Sequence, residues 1–529
     1  MSGFVERVIE DWLTDCDERS YQASFVSLLI RSGHRIRYVS KHTTLEFGKD
    51  IVSVSPDGEL TAYQLKAGNI NLSLWRTIKG EVYELADVPI RSPAGRRLRA
   101  HRCYLVTTGT IEDTVREQLR DHNEENRDKG LPEIEIVERH ELIGMFLEVF
   151  SEFFPVGVGP FNDLVRVYLS NGRGPLDKEL FSAVLRAVVP RGETKKRGVG
   201  RALSNLVVVA EFCSTPFRLA ENHISVIDVW TLVACQVTSL ARRFHLRAGQ
   251  WLPWLELCHD AIEAQGGKLL REVHERPDYV EGDPLVDVIA LPYRKTVALG
   301  YAAAVINSRR AQGVETGGES RQLLATLTKQ VPLGIWGEGS WNYYMNLVLA
   351  ISGSPEGDLA AVPLLVSWLE KVSLPEGLDP PYLTLGSALS AMTSPDREGE
   401  QRGRVKLSYS LGCATDLLCR RMWRRPLAHL WARISKMQLA ELVPETTEDQ
   451  FGWVVEGGTL EVRILPLRGS WRELRAASFE QRSALFSDED AWLLPYMLCS
   501  YPHRVSRKLS GELDYRTASE TAQREWAPA

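Results

Sequence analysis

Asp50, Gln64 and Lys66, in the stretch FGKDIVSVSPDGELTAYQLKAG (47–68), have types and spacings that could do chemistry together. Asp50 lies seven residues before Asp57 and Gln64 seven after it. An antiparallel hairpin turning at Asp57 therefore sets them opposite each other, about 5 Å apart at Cα. Side chains alternate along a strand, so Gln64 and Lys66 share one face while Tyr63 and Leu65 take the other. An acid, an amide carbonyl and an ammonium then converge. Oxygen ligands of this kind suit a hard cation, and a lysine beside it can orient water and offset phosphate charge. Magnesium fits because it keeps several waters and takes few protein ligands; manganese is the alternative.

The surrounding segments supply the elements that must position these residues. SYQASFVSLLIRSGH places Phe25, Val26, Leu28 and Leu29 on a helix closed by Gly33. RIRYVS alternates as a strand, and DIVSVS and LTAYQLK form a hairpin across Pro56, Asp57 and Gly58. LWRTIKGEVYELADV reads as a helix and CYLVTTG as a short buried strand. IEDTVREQLRDHNEEN is a charged helix, and IEIVERHELIGMFLEVF is a strand passing into a last helix. The order αββ(β)αβαβα predicts a mixed sheet flanked by helices.

EFGKDIVSVSPDGELTAYQLKAG resembles the core of the PD-(D/E)xK nuclease superfamily, in the Mrr-like or type IV restriction branch where QxK replaces the commoner ExK. YQASFVSLLIRSG is similar to that family's opening helix, and CYLVTTGTIEDTVREQL and IEIVERHELIGMF resemble its later strand–helix pairs. The resemblance covers roughly residues 15 to 150. It implies that Asp50 is the main metal ligand, that Gln64 takes the position usually held by Glu, and that Lys66 is the catalytic lysine. The family's first-helix acidic position falls on Gln22, with Glu18 one turn earlier as an alternative source of a carboxylate. Glu46, four residues before Asp50, is a second alternative; His42 reads as a loop polar residue. The implied reaction is metal-dependent hydrolysis of a DNA phosphodiester, in bacterial restriction or anti-phage defence. RNA is the other substrate the same site admits. A catalytically weak or inactive nucleic-acid-binding subunit of a defence complex is the alternative function. Because duplex cleavage usually takes two such domains, the resemblance also implies a homo-oligomer or a partner defence protein.

Arg91, Arg96, Arg97, Arg99 and Arg102, in PIRSPAGRRLRAHR (89–102), form a basic loop entering a strand and are the candidate phosphate contacts. RRMWRRP (420–426) sets Trp423 among arginines, which suits either base stacking or a helix surface. The basic stretch around Lys195, Lys196 and Arg197 reads as a connector, and His259-Asp260 and His274 as ordinary helix residues. No GxxxxGK[ST] or GxSxG motif occurs, so neither a P-loop motor nor a nucleophile-elbow hydrolase is indicated.

At 529 residues, with 44% apolar and 25% charged residues, the chain predicts several globular domains. A net charge of −6 excludes a global basic field, leaving nucleic-acid binding to local patches. Eight scattered cysteines without a CxxC pair suggest buried, reduced thiols. With no signal-peptide pattern and no run of 18 apolar residues, a cytoplasmic protein without membrane contact is expected. The element order together with the resemblance predicts an α/β restriction-endonuclease-like domain over 1–155, followed by a mainly α-helical sensor or assembly domain over 156–529. The latter, in one or two subdomains, holds twelve of the fourteen tryptophans and a hairpin near 453–464 around Gly457-Gly458.

Overall fold

The computed structural model describes residues 9–10, 12–14, 16, 18–40, 48–90, 101–153, 158–189, 196–276, 284–328, 333–335, 338–373, 407–408, 410–443, 461–466, 469–480, 486–501 and 506–518. The chain divides into two compact units, Met1–Glu221 and Asn222–Ala529.

The first unit follows the expected order: α1 (Glu18–Arg31), β1 (Arg35–Val39), β2 (Ile51–Val54), β3 (Leu60–Lys66), α2 (Leu72–Asp87), β4 (Arg102–Thr107), α3 (Asp113–Lys129), β5 (Ile134–Val137) and α4 (Arg139–Phe153). Its sheet runs β1-β2-β3-β4-β5. The β1/β2 and β2/β3 pairs are antiparallel, while β3/β4 and β4/β5 are parallel. Parallel neighbours need a crossover, and α2 and α3 provide it. The β2–β3 turn closes with Ser55 N–H donating to Glu59 O (2.8 Å) and Gly58 N–H to Ser55 O (3.0 Å). Gly58 has φ +87°, where a side chain would be strained.

The central strand β3 is covered on both sides, as its largely continuous burial reflects. On one face Phe25 of α1 meets Tyr63 edge-on at 5.4 Å, and Tyr63 stacks on Tyr104 at 5.1 Å. On the other, Trp75, Ile78, Val82 and Leu85 of α2 form a buried cluster with Ala62, Cys103 and Leu105. Asn71 caps α2 by accepting from Leu74 N–H at 2.9 Å. After the change of texture at Phe154 come α5 (Val158–Tyr168), α6 (Lys178–Val188) and α7 (Lys196–Leu219), all within the first unit. The unit thus extends beyond the boundary expected after residue 155. The physical reason is that α7 returns to pack along α1, where Arg31 Nη2 donates to Asn205 Oδ1 and Ser27 Oγ to Ser204 O at 3.5 Å.

The second unit is mainly helical. Its helices are α8 (His223–Arg243), α9 (Ala248–Glu275), α10 (Pro284–Ala311), α11 (Gly317–Thr328), α12 (Trp341–Ile351) and α13 (Pro355–Val372). They continue with α14 (Leu411–Arg420), α15 (Arg424–Ile434), α16 (Trp471–Glu480), α17 (Leu494–Ser500) and α18 (Arg507–Thr517). Among the described residues α8 alone is long and apolar enough to cross a membrane, and 89% of its apolar window is buried by the rest of the protein. Its buried Asp228 accepts from Tyr301 Oη and, at 2.6 Å, from Ser500 Oγ. Trp341 and Trp368 are fully buried and meet at 4.8 Å, as the tryptophan content anticipates.

A small sheet has the order β6 (Leu407–Ser408), β7 (Gln438–Val443), β8 (Glu461–Pro466). The Gly457-Gly458 turn lies outside the described residues, and the antiparallel partner of β8 is β7. All eight cysteines are buried and unbridged; burial pushes the Cys103 thiol up to about 12, leaving it protonated and inert at neutral pH.

Candidate active site

The hairpin register places Ile51 opposite Tyr63 and Val52 opposite Ala62. Extending it by one position sets Asp50 opposite Gln64, as the spacing about Asp57 requires. The chain holds Asp50 there firmly. Its N–H donates to Tyr63 O at 2.9 Å, and its own carbonyl accepts from Ser40 N–H at 2.6 Å. Its carboxylate Oδ2 accepts from Leu65 N–H at 2.7 Å, so the side chain lies along β3 between Gln64 and Lys66. Asp50 is 9% exposed and Gln64 is 2% exposed, which makes the surroundings low in dielectric.

Gln64 and Lys66 share a face and reach the same partner. Gln64 Nε2 donates to Glu81 Oε2 at 3.3 Å, and Lys66 Nζ lies 3.3 Å from the same oxygen. Lys66 Nζ is also 3.6 Å from Glu18 Oε2, so carboxylates from α1 and α2 flank the ammonium. Burial opposes the charged lysine, but Glu18, Glu81 and Asp50 outweigh it and raise its pKa. The Glu18 carboxyl is raised as well: burial and the nearby Asp50 and Glu81 charges prevail over the pull of Lys66. Tyr21 Oη fastens α1 to the strand ends by donating to Lys66 O (3.2 Å) and Val106 O (3.1 Å).

Of the two first-helix candidates, Glu18 touches Lys66. Gln22 is buried, and its Nε2 has no hydrogen-bond partner. Glu46 and His42 lie outside the described residues, as do Arg91, Arg96, Arg97 and Arg99. Arg102 is described, and the structure does not bring it to the site. It pairs with Thr61 at the start of β3, whereas Lys66 pairs with Thr107 at the far end of β4. Five residues of strand separate the two ends, about 17 Å. The Arg102 guanidinium instead meets Glu135 at 3.1 Å and Glu59 at 3.9 Å and lies over Tyr104. RRMWRRP is likewise partly interior: Arg420 is 1% exposed, and both Arg420 and Arg421 bind Asp514.

Glu81 is the residue that spacing alone did not single out. Its helix position beside Val82, at the border of the buried stripe, is the signal that marks it. What brings it to the strand is the loop before β2. Gly48 has φ +69°, and a Cβ there would lie 2.0 Å from Glu81 O, so only glycine lets this loop touch α2. Lys49 adds a tie one turn along, Nζ donating to Glu84 O at 3.0 Å; burial pushes its pKa down to about 8.

Among the described residues, His, Cys, Asp and Glu side chains form no ready cage of three for a metal. The oxygen donors present nevertheless suit a hard cation with few protein ligands. Gln64 Oε1 is buried without a hydrogen-bond partner, and the Asp50 carboxylate is opposite it in register. A buried acceptor without a donor carries a desolvation cost of about 1–3 kcal/mol, which a ligand could relieve. No family model matches the chain, and neither does any curated protein or solved structure.

Proposed function

We propose that the first unit is a metal-dependent endonuclease acting on DNA. The observation that carries the reading is the convergence of Asp50, Gln64 and Lys66 at one end of β3, with Gln64 Oε1 buried and unpartnered. Asp50 and Gln64 would hold the cation, which when bound supplies charge neutralisation at phosphate and a more acidic water. Asp50 contributes a carboxylate fixed by Leu65 N–H, already oriented before substrate arrives. Lys66 keeps its proton at neutral pH because Glu18 and Glu81 stabilise the ammonium, and it offsets charge developing on the phosphoryl oxygens. In the reaction a water oxygen bonds to phosphorus while one P–O ester bond breaks, leaving a phosphate monoester and a hydroxyl. Restriction or anti-phage defence in the cytoplasm, with self-association for duplex cleavage, is the setting that accords with this chemistry.

The test is nicking of supercoiled plasmid by the full chain with Mg2+ or Mn2+, alongside linear DNA and RNA. Cleavage is expected with metal and lost at least 100-fold in Lys66→Ala and Asp50→Ala, an effect of the size of a lost electrostatic stabiliser. Cleavage surviving in both variants overturns the mechanism. A second reading, a nucleic-acid-binding subunit without catalysis, is favoured by the two carboxylates already engaging Lys66. It predicts DNA retention without metal-dependent nicking.

A further inference from the structure

We infer that Glu81 is a cation ligand, supplying the second carboxylate of the site beside Asp50 and the Gln64 carbonyl; this rests on the nuclease reading above. A divalent cation held by one carboxylate and one neutral amide is under-compensated in charge, and a second carboxylate corrects that. Glu81 is placed to do so, because its Oε2 touches both Gln64 Nε2 and Lys66 Nζ at 3.3 Å.

Three features distinguish it from an ordinary surface ion pair. First, the amide it binds is 2% exposed and carries an oxygen without any hydrogen-bond partner, a polar atom awaiting a ligand rather than a satisfied contact. Second, the backbone of Glu81 is clamped to the loop leading into Asp50 by the close approach of Gly48. The backbone positions that carry the two carboxylates are therefore held together although they come from a strand end and a helix. Third, the Glu81 side chain is 58% exposed, so it has room to turn from the ammonium to a cation. Lys66 keeps Glu18 at 3.6 Å when it does. Lysine and cation thus compete for Glu81, and the lysine is the placeholder.

The experiment uses the purified full chain and Mn2+ alone, titrated by the electron paramagnetic resonance of the free ion, with no nucleic acid present. Wild type is expected to bind Mn2+, Asp50→Asn to lose binding, and Glu81→Gln to weaken it at least fivefold with an unchanged thermal unfolding curve. Glu81→Ala should give the same loss, which guards against a glutamine that still coordinates through its carbonyl. Lys66→Met separates ligand from lysine partner. With the ammonium gone, Glu81→Gln must still weaken binding at least fivefold, whereas a residue that only positions Lys66 has no further effect. A weakening smaller than fivefold in either background, while Asp50→Asn does not bind, overturns the inference and leaves the nuclease reading standing. Absence of Mn2+ binding by wild type also overturns it, and the nuclease reading falls with it only if plasmid is left uncut as well.

Discussion

Two of the buried charge clusters among the described residues, one around Asp514 and one around Lys66, are built in opposite ways. At Asp514 in the second unit, Arg420 Nε donates to one carboxylate oxygen at 2.7 Å, while Arg421 Nε and Nη2 donate to the other at 3.1 and 2.8 Å. Burial alone would raise this acid's pKa, but the two guanidiniums win and lower it. At Glu18 in the first unit the same contest goes the other way, and burial holds the carboxyl above its usual value despite Lys66. One cluster sets two guanidiniums on one carboxylate; the other carries three carboxylates around one lysine. Each leaves one buried polar atom without a hydrogen-bond partner, Arg420 Nη2 in the first and Gln64 Oε1 in the second, so the sign of the charge excess is what separates them.

The largest effect that can break this contrast is at Asp514. Asp514→Asn leaves two guanidiniums, one of them fully buried, without a counter-charge. Removing one partner of such a buried cluster costs about 3–5 kcal/mol, read as a lower denaturation midpoint of the second unit. A cost under about 1 kcal/mol would place the cluster among ordinary surface pairs and erase the distinction.

A smaller effect sharpens the comparison on the other side. Gly48 and Gly58 both have left-handed backbones, at φ +69° and +87°, but only Gly48 has a neighbour in the way. Gly58→Ala should cost about 1–2 kcal/mol for the conformation alone. Gly48→Ala should cost about 1–3 kcal/mol more, since the Cβ must push Glu81 O aside. Melting curves of the two variants measure the difference. Only Gly48→Ala should also weaken Mn2+ binding, because only it moves Glu81 away from Asp50; equal Mn2+ affinities would remove Gly48 from the site.

What could be read beforehand divides along the same line. Asp50, Gln64 and Lys66 were accessible because a hairpin is local: SPDG marks the turn and period-two alternation assigns the faces. Glu81 was not, since it lies 17 residues from Gln64 on another element. Its direction depends on how closely α2 approaches a glycine, which is a tertiary fact. The extension of the first unit through α7 was hidden for a similar reason, because the packing of α7 on α1 joins segments about 170 residues apart. RRMWRRP looked like surface because it is dense in arginine, yet the acid that draws Arg420 and Arg421 inward stands more than 90 residues later. Even Glu18 and Gln22, one turn apart on α1, were separated only by which of them meets Lys66.

The smallest prediction concerns acid, where the two carboxyls should move in opposite directions. Asp514 has a lowered pKa, so its stabilising contribution is present above 3.8 and is lost as pH falls through its lower folded value. The penalty of Asp514→Asn should therefore persist at neutral pH and shrink only in strong acid. Glu18 has a raised pKa, so its favourable contribution is present below 4.5 and is lost as pH rises through the folded value. At neutral pH the ionised Glu18 is then a net cost, and Glu18→Gln should stabilise the first unit slightly, by less than about 1 kcal/mol. That gain should vanish as the pH is lowered through 4.5. Thermal unfolding of both variants across pH 3–8 reads the two signs directly. If Glu18→Gln instead destabilises at neutral pH, pairing with Lys66 outweighs burial. Glu18 would then be a clamp of the Asp514 kind, and the balance of burial against ion pairing would no longer separate the two clusters.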